Sequence, residues 1–194
     1  MAIRIAREAD IPAILEIYRP YVENTAVSFE YTAPSLEEFT ARFRGFAKQF
    51  PWLVWEEAGE ILGYAYAQPP FERAAFSWCA EPSIYLKQTA LRRGIGSRLY
   101  EALEAILGYQ GYEVLYALIT TENPGSIAFH EARGYRTVGV LENCGIKFSR
   151  RVGIVWMEKV ALCAEIPKEM PVPFPQLVKN DRNFQEFLSK MSIS

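Results

Sequence analysis

The chain is predicted to fold as an α/β domain in which helices flank a mixed or parallel sheet. Segments of strand-like composition alternate with segments of helical periodicity along the chain, the pattern of a sheet covered by helices. The 194 residues are 50 % hydrophobic and 14 % aromatic, which is enough for one sizeable core. The composition changes near residue 161. We therefore expect one domain over residues 1–160 and an appendage over 161–194.

The first quarter of the chain reads as a strand followed by two helices. The β-rich run "AIRIA" predicts a strand over 2–6. Apolar residues at helical spacing indicate a helix over 8–24. After a loop, a second helix is expected over 35–49, because Ser35 and Glu38 have the spacing of a capping box.

Three strands are expected next. The segment 51–68 reads as two β-rich runs joined at the turn-forming pair Ala58-Gly59. Residues 76–87 continue as a strand with Pro82 inside it. Because proline cannot donate to a sheet ladder, we expect this strand to bulge or to lie unpaired there.

The next region alternates again between helices and strands. Asn123 as cap, Pro124 at the first helical position and Gly134 just past the end delimit one short helix. The predicted elements are a helix from near Gly94, a strand over 112–120, a helix over 123–134, and strands around 135–142 and 151–160. Beyond residue 161 the run "PKEMPVPFPQ" carries four prolines in ten residues, too many for a packed element. A short amphipathic helix is expected over 180–191, in an appendage that docks either on the core or on a partner chain.

Composition excludes several classes of function. The net charge is −2, so no global field recruits nucleic acid or an anionic membrane. Residues 1–10 carry charge where a signal peptide needs an apolar run, and we expect a soluble, cytoplasmic protein. Cys79, Cys144 and Cys163 are widely spaced in a chain with one histidine, which argues against a zinc site or a disulfide framework and favours reduced thiols.

The stretch "LRRGIGSRLYEALEAIL" over 91–107 gathers positive charge and glycine where a helix begins. A helix start leaves backbone N–H groups unpaired and carries partial positive charge, so this turn can bind an anion. Gly94 and Gly96 would let phosphates approach the backbone without a Cβ in the way. Charge-assisted contacts are expected from Arg92, Arg93 and Arg98. The alternative is a glycine-rich helix start with solvated arginines. The dinucleotide fingerprint is excluded because Leu99 stands in place of its third glycine, and no G-K-[ST] follows for an NTP loop.

The order of the pieces resembles the acetyl-CoA-binding core of the GCN5-related N-acetyltransferases. "SIYLKQTALRRGIGSRLYEAL", a strand and "NPGSIAFHEARGY" follow one another as in that superfamily, over about residues 2–160. Within it, the chain is similar to the phosphinothricin and methionine sulfoximine N-acetyltransferase branch, through "NTAVSFEYTAPSLEEF", "AEPSIYL" and "GIKFSRRVGIVWMEK". Leu91 departs from the usual Gln or Arg of the pyrophosphate turn, and Ser149-Arg150-Arg151-Val152-Gly153 departs from the branch's Gly-Arg-Trp-x-Asp.

The resemblance implies a mixed, mostly antiparallel sheet of about seven strands, acetyl-CoA as acetyl donor, no metal and a homodimer. It implies direct transfer to a small amine, an amino acid or analogue such as phosphinothricin or methionine sulfoximine, in a ternary complex. The residues that it assigns to the cofactor are Ile84, Tyr85, Leu86, Arg92, Arg93, Gly94, Ile95, Gly96, Ser97, Asn123 and Ser126.

Two titratable residues are the catalytic candidates. Glu81 precedes Pro82 in an apolar strand, where reduced solvation would raise its pKa toward that of a useful base. The resemblance places it opposite the acetyl group, directly or through a water; otherwise it is an exposed carboxylate at an irregular strand position. His130 shares a helix face with Asn123 and Ser126. It could donate a proton or a hydrogen bond to the thioester, or it is a packing residue, as Asn123 could be a helix cap.

The acceptor site is expected in two loops and one strand. Arg73 could pair with the carboxylate of an amino-acid-like substrate, and Glu30 could bind its ammonium group or serve as an alternative base. Surface aromatics in loops can equally be ordinary packing. The candidate substrate residues are Phe29, Glu30, Tyr31, Phe71, Arg73 and Lys147, the last of which could reach the pocket or a neighbouring subunit.

Three other functions stay open from the sequence. The same coenzyme site could serve acetylation of a polyamine or of a protein or peptide amine. A chain without a usable base could instead sense acetyl-CoA without turnover. The helix start could also belong to a phosphate-binding protein unrelated to CoA.

Overall fold

A computed structural model describes residues 2–161, 166–167, 169–191 and 193. Seven strands form one sheet in the order β1-β2-β3-β4-β5-β7-β6, in which only β4 and β5 run parallel. The predicted mixed, mostly antiparallel sheet flanked by helices is confirmed. Its strands are β1 Ala2–Ile5, β2 Trp52–Glu57, β3 Glu60–Gln68, β4 Cys79–Leu86, β5 Val114–Thr120, β6 Arg136–Lys147 and β7 Arg150–Val160. The helices are α1 Ile11–Asn24, α2 Leu36–Phe46, α3 Ile95–Gln110, α4 Pro124–Glu131, α5 Phe174–Asn180 and α6 Arg182–Lys190.

Local signals fix several element ends as predicted. Ser35 accepts from the Glu38 amide, and the Glu38 carboxylate accepts from the Ser35 amide, so the capping box of α2 is complete. The β2–β3 hairpin turns at Ala58 and Gly59, which both have positive φ angles, as a tight hairpin between twisted strands requires. Asn123 caps α4 by accepting from the Ser126 amide at 3.1 Å.

The predictions for β4 and β6 need correction. The β3–β4 register runs unbroken from Gly63 opposite Leu86 to Gln68 opposite Glu81, so the bulge considered at Pro82 is absent from this ladder. The loss of pairing occurs on the other edge of β4, toward β5. Strand β6 continues to Lys147 instead of ending near 142, because register shifts between residues 137 and 139 and between 141 and 145 let the strand absorb extra residues.

Two apolar layers cover the two faces of the sheet. On one face, α1 and α2 pack an aromatic cluster that includes Phe39, Trp52 and Tyr64. On the other face, α3 is buried along its length, with Leu99, Leu103 and Ile106 inaccessible to solvent. Because α3 is packed so firmly, its first turn is held in a fixed position next to β4.

The described residues of the C-terminal segment, from 169 to 191 and 193, pack on the chain's own core. Residues of α5 and α6, such as Phe174 and Phe184, join the same apolar cluster as α3. The Val172 amide donates to the Gln110 carbonyl at 2.8 Å, and Ile193 forms a bridge with Ile3 of β1. The appendage therefore docks on the core, and α6 is the helix expected over 180–191. Cys163 lies outside the described residues, whereas Cys79 and Cys144 are free thiols.

In the described part of the chain, none of the helices is long and apolar enough to cross a membrane. The same residues hold no group of three or more histidine, cysteine or acidic side chains able to bind a metal ion.

Candidate functional site

A cleft opens where β4 and β5 separate. The two strands pair only through Cys79 with Val114 and Ala80 with Leu115. From Glu81 onward, β4 stays paired with β3 but leaves its other edge free. The resulting cavity has a volume of about 690 Å³ and is bounded by β4, β5, α3 and α4. Free N–H and C=O groups along an unpaired strand edge can bind an extended ligand that carries amide groups.

The first turn of α3 closes one end of this cleft. Gly94 caps the helix in the left-handed conformation, with a φ of 77°, which glycine adopts without strain. Gly94, Gly96 and Ser97 line the cavity, whereas the Ile95 side chain is buried in the core and can offer only its backbone. The amides at this helix start face the place where the sequence predicts an anion site.

The three arginines of this turn differ in their surroundings. Arg92 lines the cleft. Arg93 instead pairs with Glu57 at 2.8 Å, and the Arg98 guanidinium lies over the Trp55 ring, 5.0 Å from its centroid. The structure thus brings one arginine to the cleft and holds the other two against neighbouring strands.

Strand β4 supplies one wall of the cleft. Ile84, Tyr85 and Leu86 all line it, as expected from the sequence. The Tyr21 hydroxyl of α1 donates to the Leu86 carbonyl at 2.7 Å and so anchors the end of this strand.

Glu81 lies at the point where the two strands separate. It lines the cleft opposite Gln68 of β3. Burial raises the pKa of the Glu81 carboxyl above its ordinary value, and a hydrogen bond from Gln68 only partly opposes this rise. A carboxylate whose pKa is raised by desolvation is a better proton acceptor than an exposed one.

Helix α4 forms the opposite wall and presents Asn123, Ser126 and His130 to the cleft. The Asn123 side chain is used as the helix cap, so its cap role is real and does not prevent its amide from lining the site. The helical spacing inferred from the sequence therefore does bring the three residues to one cavity.

His130 is almost fully buried, with 4 % of its surface exposed. Its Nδ1–H donates to the Ser126 carbonyl at 2.7 Å, which leaves Nε2 to accept from the Tyr100 hydroxyl at 2.9 Å. Burial lowers its pKa, the Ser126 hydrogen bond opposes this effect, and the Arg133 charge adds to it. At neutral pH the ring is therefore neutral and has partners on both nitrogens.

The predicted acceptor residues of the α1–α2 loop lie outside the cleft lining. Phe29 packs on the backbone of Gly145, and Tyr31 is 72 % exposed. Glu30 accepts from Tyr18 at 2.7 Å and pairs with Arg42. Burial raises the pKa of Glu30, but these two partners outweigh burial and lower it overall. Its carboxylate is thus already neutralised.

Phe71 and Arg73 line a second cavity of about 530 Å³, together with Met170 and Pro171 of the C-terminal segment. Phe71 stacks on Trp156, with ring centroids 5.8 Å apart. The structure therefore brings neither residue to the cleft that holds Glu81.

Lys147 is buried, with 2 % of its surface exposed. Its ammonium donates to the carbonyls of Val22 and Ser28, each at 2.6 Å. Desolvation lowers its pKa, and the Glu30 charge opposes this effect. Lys147 holds the loop after α1 rather than reaching into the cleft.

Several cleft residues were not predicted from the sequence. Tyr21 falls on the apolar stripe of α1, and Phe129 on that of a short helix, so both read as core residues. Tyr100 also reads as core, and its hydroxyl contact with His130 joins residues 30 positions apart. No local sequence signal reports such a contact.

Comparisons with known proteins agree with this geometry. A family model described as "Acetyltransferase (GNAT) domain" matches residues 3–156. A phosphinothricin N-acetyltransferase from Streptomyces viridochromogenes is 34 % identical over 145 residues, 75 % of this chain and 79 % of the relative. An L-methionine sulfoximine/L-methionine sulfone acetyltransferase from Pseudomonas paraeruginosa is 36 % identical over 161 residues, 81 % of this chain and 92 % of the relative.

A solved structure shares the fold over nearly its whole length. It is described as a GNAT superfamily phosphinothricin acetyltransferase from Sinorhizobium meliloti in complex with AcCoA. It superposes with a TM-score of 0.83 and 33 % identity, covering 89 % of this chain and 95 % of that chain.

Proposed function

The chain belongs to the GNAT acetyltransferase family, and on that premise we propose that it transfers acetyl from acetyl-CoA to a small amino-acid-like amine. The observation that carries the proposal is the cleft between β4 and β5, which has an anion-binding helix start at one end and a buried carboxylate, Glu81, inside it.

The chain's residues fit acetyl-CoA. A Cβ on Gly96 would meet Leu86 Cδ1 at 3.3 Å and Ile84 Cδ1 at 3.6 Å, so the absence of a side chain keeps the cleft open beside the helix start. The amides of residues 94–97 and the Arg92 guanidinium would hold the pyrophosphate. The free edge of β4 over Ile84–Leu86 would pair with the pantetheine amides, with Asn123 and Ser126 on the opposite wall. The bound coenzyme supplies an acetyl group activated as a thioester.

We assign the role of general base to Glu81. Its carboxyl lies in the cleft, and burial raises its pKa, so it can accept the amine's proton directly or through one water. We retain His130, in the opposite wall of the cleft, as the proposed donor of a proton or hydrogen bond to the departing thiolate, a role that requires one ring nitrogen to leave its present partner. No covalent enzyme intermediate is needed, since the thiolate is already a good leaving group, and transfer proceeds within a ternary complex.

The acceptor amine is proposed to be an amino acid or analogue, of the phosphinothricin or methionine sulfoximine kind. This rests on the names of the relatives at 34 and 36 % identity. We retain Phe29, Glu30 and Tyr31 as proposed acceptor residues together with Arg73 and Phe71. Their recruitment requires loop movement, because none of them lines the cleft in this structure. Lys147 would act by holding the first of these loops.

We further propose a cytoplasmic homodimer. Strand β6 is an edge strand with a row of exposed apolar side chains, including Val140 at 49 % and Ile146 at 58 % exposure. An exposed apolar edge strand tends to pair with a strand of another molecule, and a second copy of this chain can cover it. Two described thiols are free, as expected in a reducing compartment.

The test is a thiol-release assay with acetyl-CoA and a panel of amines. We expect the fastest thiol release with amino acids and with their phosphinic and sulfoximine analogues. Faster release with polyamines or peptides would replace the acceptor assignment. Coenzyme binding without release on any amine would indicate a sensor, and binding that does not depend on the pantetheine arm would overturn the coenzyme assignment.

A further inference from the structure

A chain of buried polar side chains leads away from the cleft behind His130. The Tyr100 hydroxyl lies 2.9 Å from His130 Nε2 and 3.2 Å from the Tyr135 hydroxyl. Glu104, one helical turn after Tyr100, comes next: its carboxylate interacts with the Tyr135 hydroxyl, and its Oε2 accepts from Lys159 at 3.0 Å. Lys159 is one-third exposed. These side chains therefore link the wall of the cleft to a partly exposed lysine.

When His130 is neutral, the hydrogen bonds between these buried side chains all run in one direction. Because Nδ1–H is used by Ser126, Nε2 must accept the Tyr100 proton, and the Tyr100 oxygen then accepts from Tyr135. Every proton points toward His130. The far end is left unbalanced, since Glu104 Oε1 is buried and has no hydrogen-bond partner among the described residues.

When His130 is protonated, the same side chains can form an equally complete set of hydrogen bonds in the opposite direction. Uptake of one proton at Nε2 would turn the chain around: Nε2–H donates to Tyr100, Tyr100 to Tyr135, and Tyr135 to Glu104 Oε1. One N–H bond forms at the ring, and otherwise only hydroxyl hydrogens rotate. The imidazolium is then connected by hydrogen bonds to a carboxylate. A buried charge is stable only when it is hydrogen-bonded and balanced by an opposite charge.

We propose that Tyr100, Tyr135 and Glu104 are positioning residues that form a reversible hydrogen-bond chain and set the protonation state of His130. The unpartnered Glu104 oxygen is the acceptor that the reversed chain requires. In its value for catalysis this inference rests on the proposed function, which places His130 in the wall of the acetyl-CoA cleft.

Other charges near the ring act in both directions. Arg133 lies over the rings of Phe129 and Tyr100 and opposes protonation. Glu81 lies across the cleft, and Lys159 pairs with Glu104 and partly cancels its charge. Glu104 can act on His130 both by its charge and through the two hydroxyl groups, and Tyr135→Phe isolates the second route because it removes a hydroxyl and no charge.

The single histidine of the chain makes the test direct. NMR of the full chain with 15N-labelled histidine reports the tautomer and the titration midpoint of His130 alone. We expect the neutral ring to carry its proton on Nδ1. We expect Glu104→Gln and Tyr135→Phe each to shift the midpoint to lower pH. Glu101→Gln removes an exposed carboxylate from the same helix and should leave the midpoint in place.

A proton on Nε2 in the neutral state, or midpoints unchanged in both variants, would overturn the proposal. If Tyr135→Phe fails to fold, the tautomer of the neutral ring in the unmodified protein still tests the direction of the hydrogen bonds, and Glu104→Gln, which preserves side-chain size, tests whether the carboxylate affects the midpoint. The titration needs no substrate, so it stands if no amine is acetylated. Where turnover is observed, the pH–rate profile should show a midpoint set by His130. This midpoint should shift in Glu104→Gln and should be unchanged in Glu101→Gln.

Discussion

Gly96 faces Leu86 across the coenzyme cleft so closely that a Cβ at Gly96 would lie 3.3 Å from Leu86 Cδ1. A side chain at Gly96 would therefore press against Leu86, and a large one would fill the space between strand β4 and helix α3. The same helix carries Gly108, where a Cβ would meet nothing within 4 Å. The same substitution at the two glycines therefore changes helix propensity in both cases but changes the shape of the cleft only at Gly96.

Gly96→Trp should abolish acetyl-CoA binding, because the indole would fill the space beside the helix start. We expect at least a hundredfold weaker affinity, or about 2.7 kcal/mol, by isothermal titration calorimetry. Gly108→Trp should bind as the unmodified chain does. Equal affinity in the Gly96 variant would show that the ligand does not bind at this helix start.

Glu81→Gln should lower turnover while leaving acetyl-CoA affinity unchanged. Only the unprotonated carboxylate can accept a proton, and burial raises its pKa above the ordinary 4.5. The rate should therefore fall on the acid side at a pH above 4.5, and this limb should disappear in the variant. A pH series of initial rates measures both effects. Glu72→Gln, an exposed carboxamide on the β3–β4 loop, should keep the limb. An unaltered rate in Glu81→Gln would remove Glu81 from the chemistry.

Ionisation of Glu81 has opposite effects on activity and on folding stability as the pH rises. The native state holds the Glu81 proton more tightly than the unfolded chain, so the carboxyl favours folding at low pH and disfavours it as the pH rises through its raised pKa. Glu81→Gln should therefore be more stable than the unmodified chain at neutral pH, with the difference shrinking toward pH 4. Urea unfolding at the two pH values measures it.

What could be predicted from the sequence was local. The ends of α4 follow from Asn123, Pro124 and Gly134, since cap, first-turn proline and terminal glycine act within a few residues. The start of α3 at Gly94 is also local, because it depends on one turn and the helix after it. The mostly antiparallel character of the sheet came from family resemblance and the strand order only from the structure, as pairing between distant strands leaves no short-range pattern.

Some predicted site residues do not reach the cleft, because their side chains contact partners that are distant in sequence. Arg93 is held by Glu57, and Phe71 stacks on Trp156, each far away in sequence. Lys147 is expected from the sequence to reach the pocket or a neighbouring subunit, yet it is buried, and two carbonyls from another part of the chain accept its protons. Such partners become visible only once the fold brings them together.

Lys147→Met should destabilise the domain by about 2–3 kcal/mol, because it leaves the buried carbonyls of Val22 and Ser28 without donors. Urea unfolding measures this difference. Since Ser28 belongs to the loop proposed to cover the acceptor, KM for the amine should also rise while acetyl-CoA affinity stays constant. Lys179→Met removes an exposed lysine and should change neither quantity. Unchanged stability of the Lys147 variant would mean that the loop is held by its other contacts.

Phe184→Ala tests whether the segment after residue 161 is part of the folding unit. Phe184 is fully buried between Tyr109 of α3 and Phe174 of α5, with ring centroids 4.8 and 5.9 Å away. Removing such a ring costs about 3–5 kcal/mol when the cavity cannot collapse. We expect a single unfolding transition at lower urea concentration, because α6 shares its core with α3. Glu186→Ala, on the exposed face of the same helix, should unfold as the unmodified chain does. If Phe184→Ala left the main transition in place, the segment would be an independent attachment whose loss the sheet and α3 tolerate.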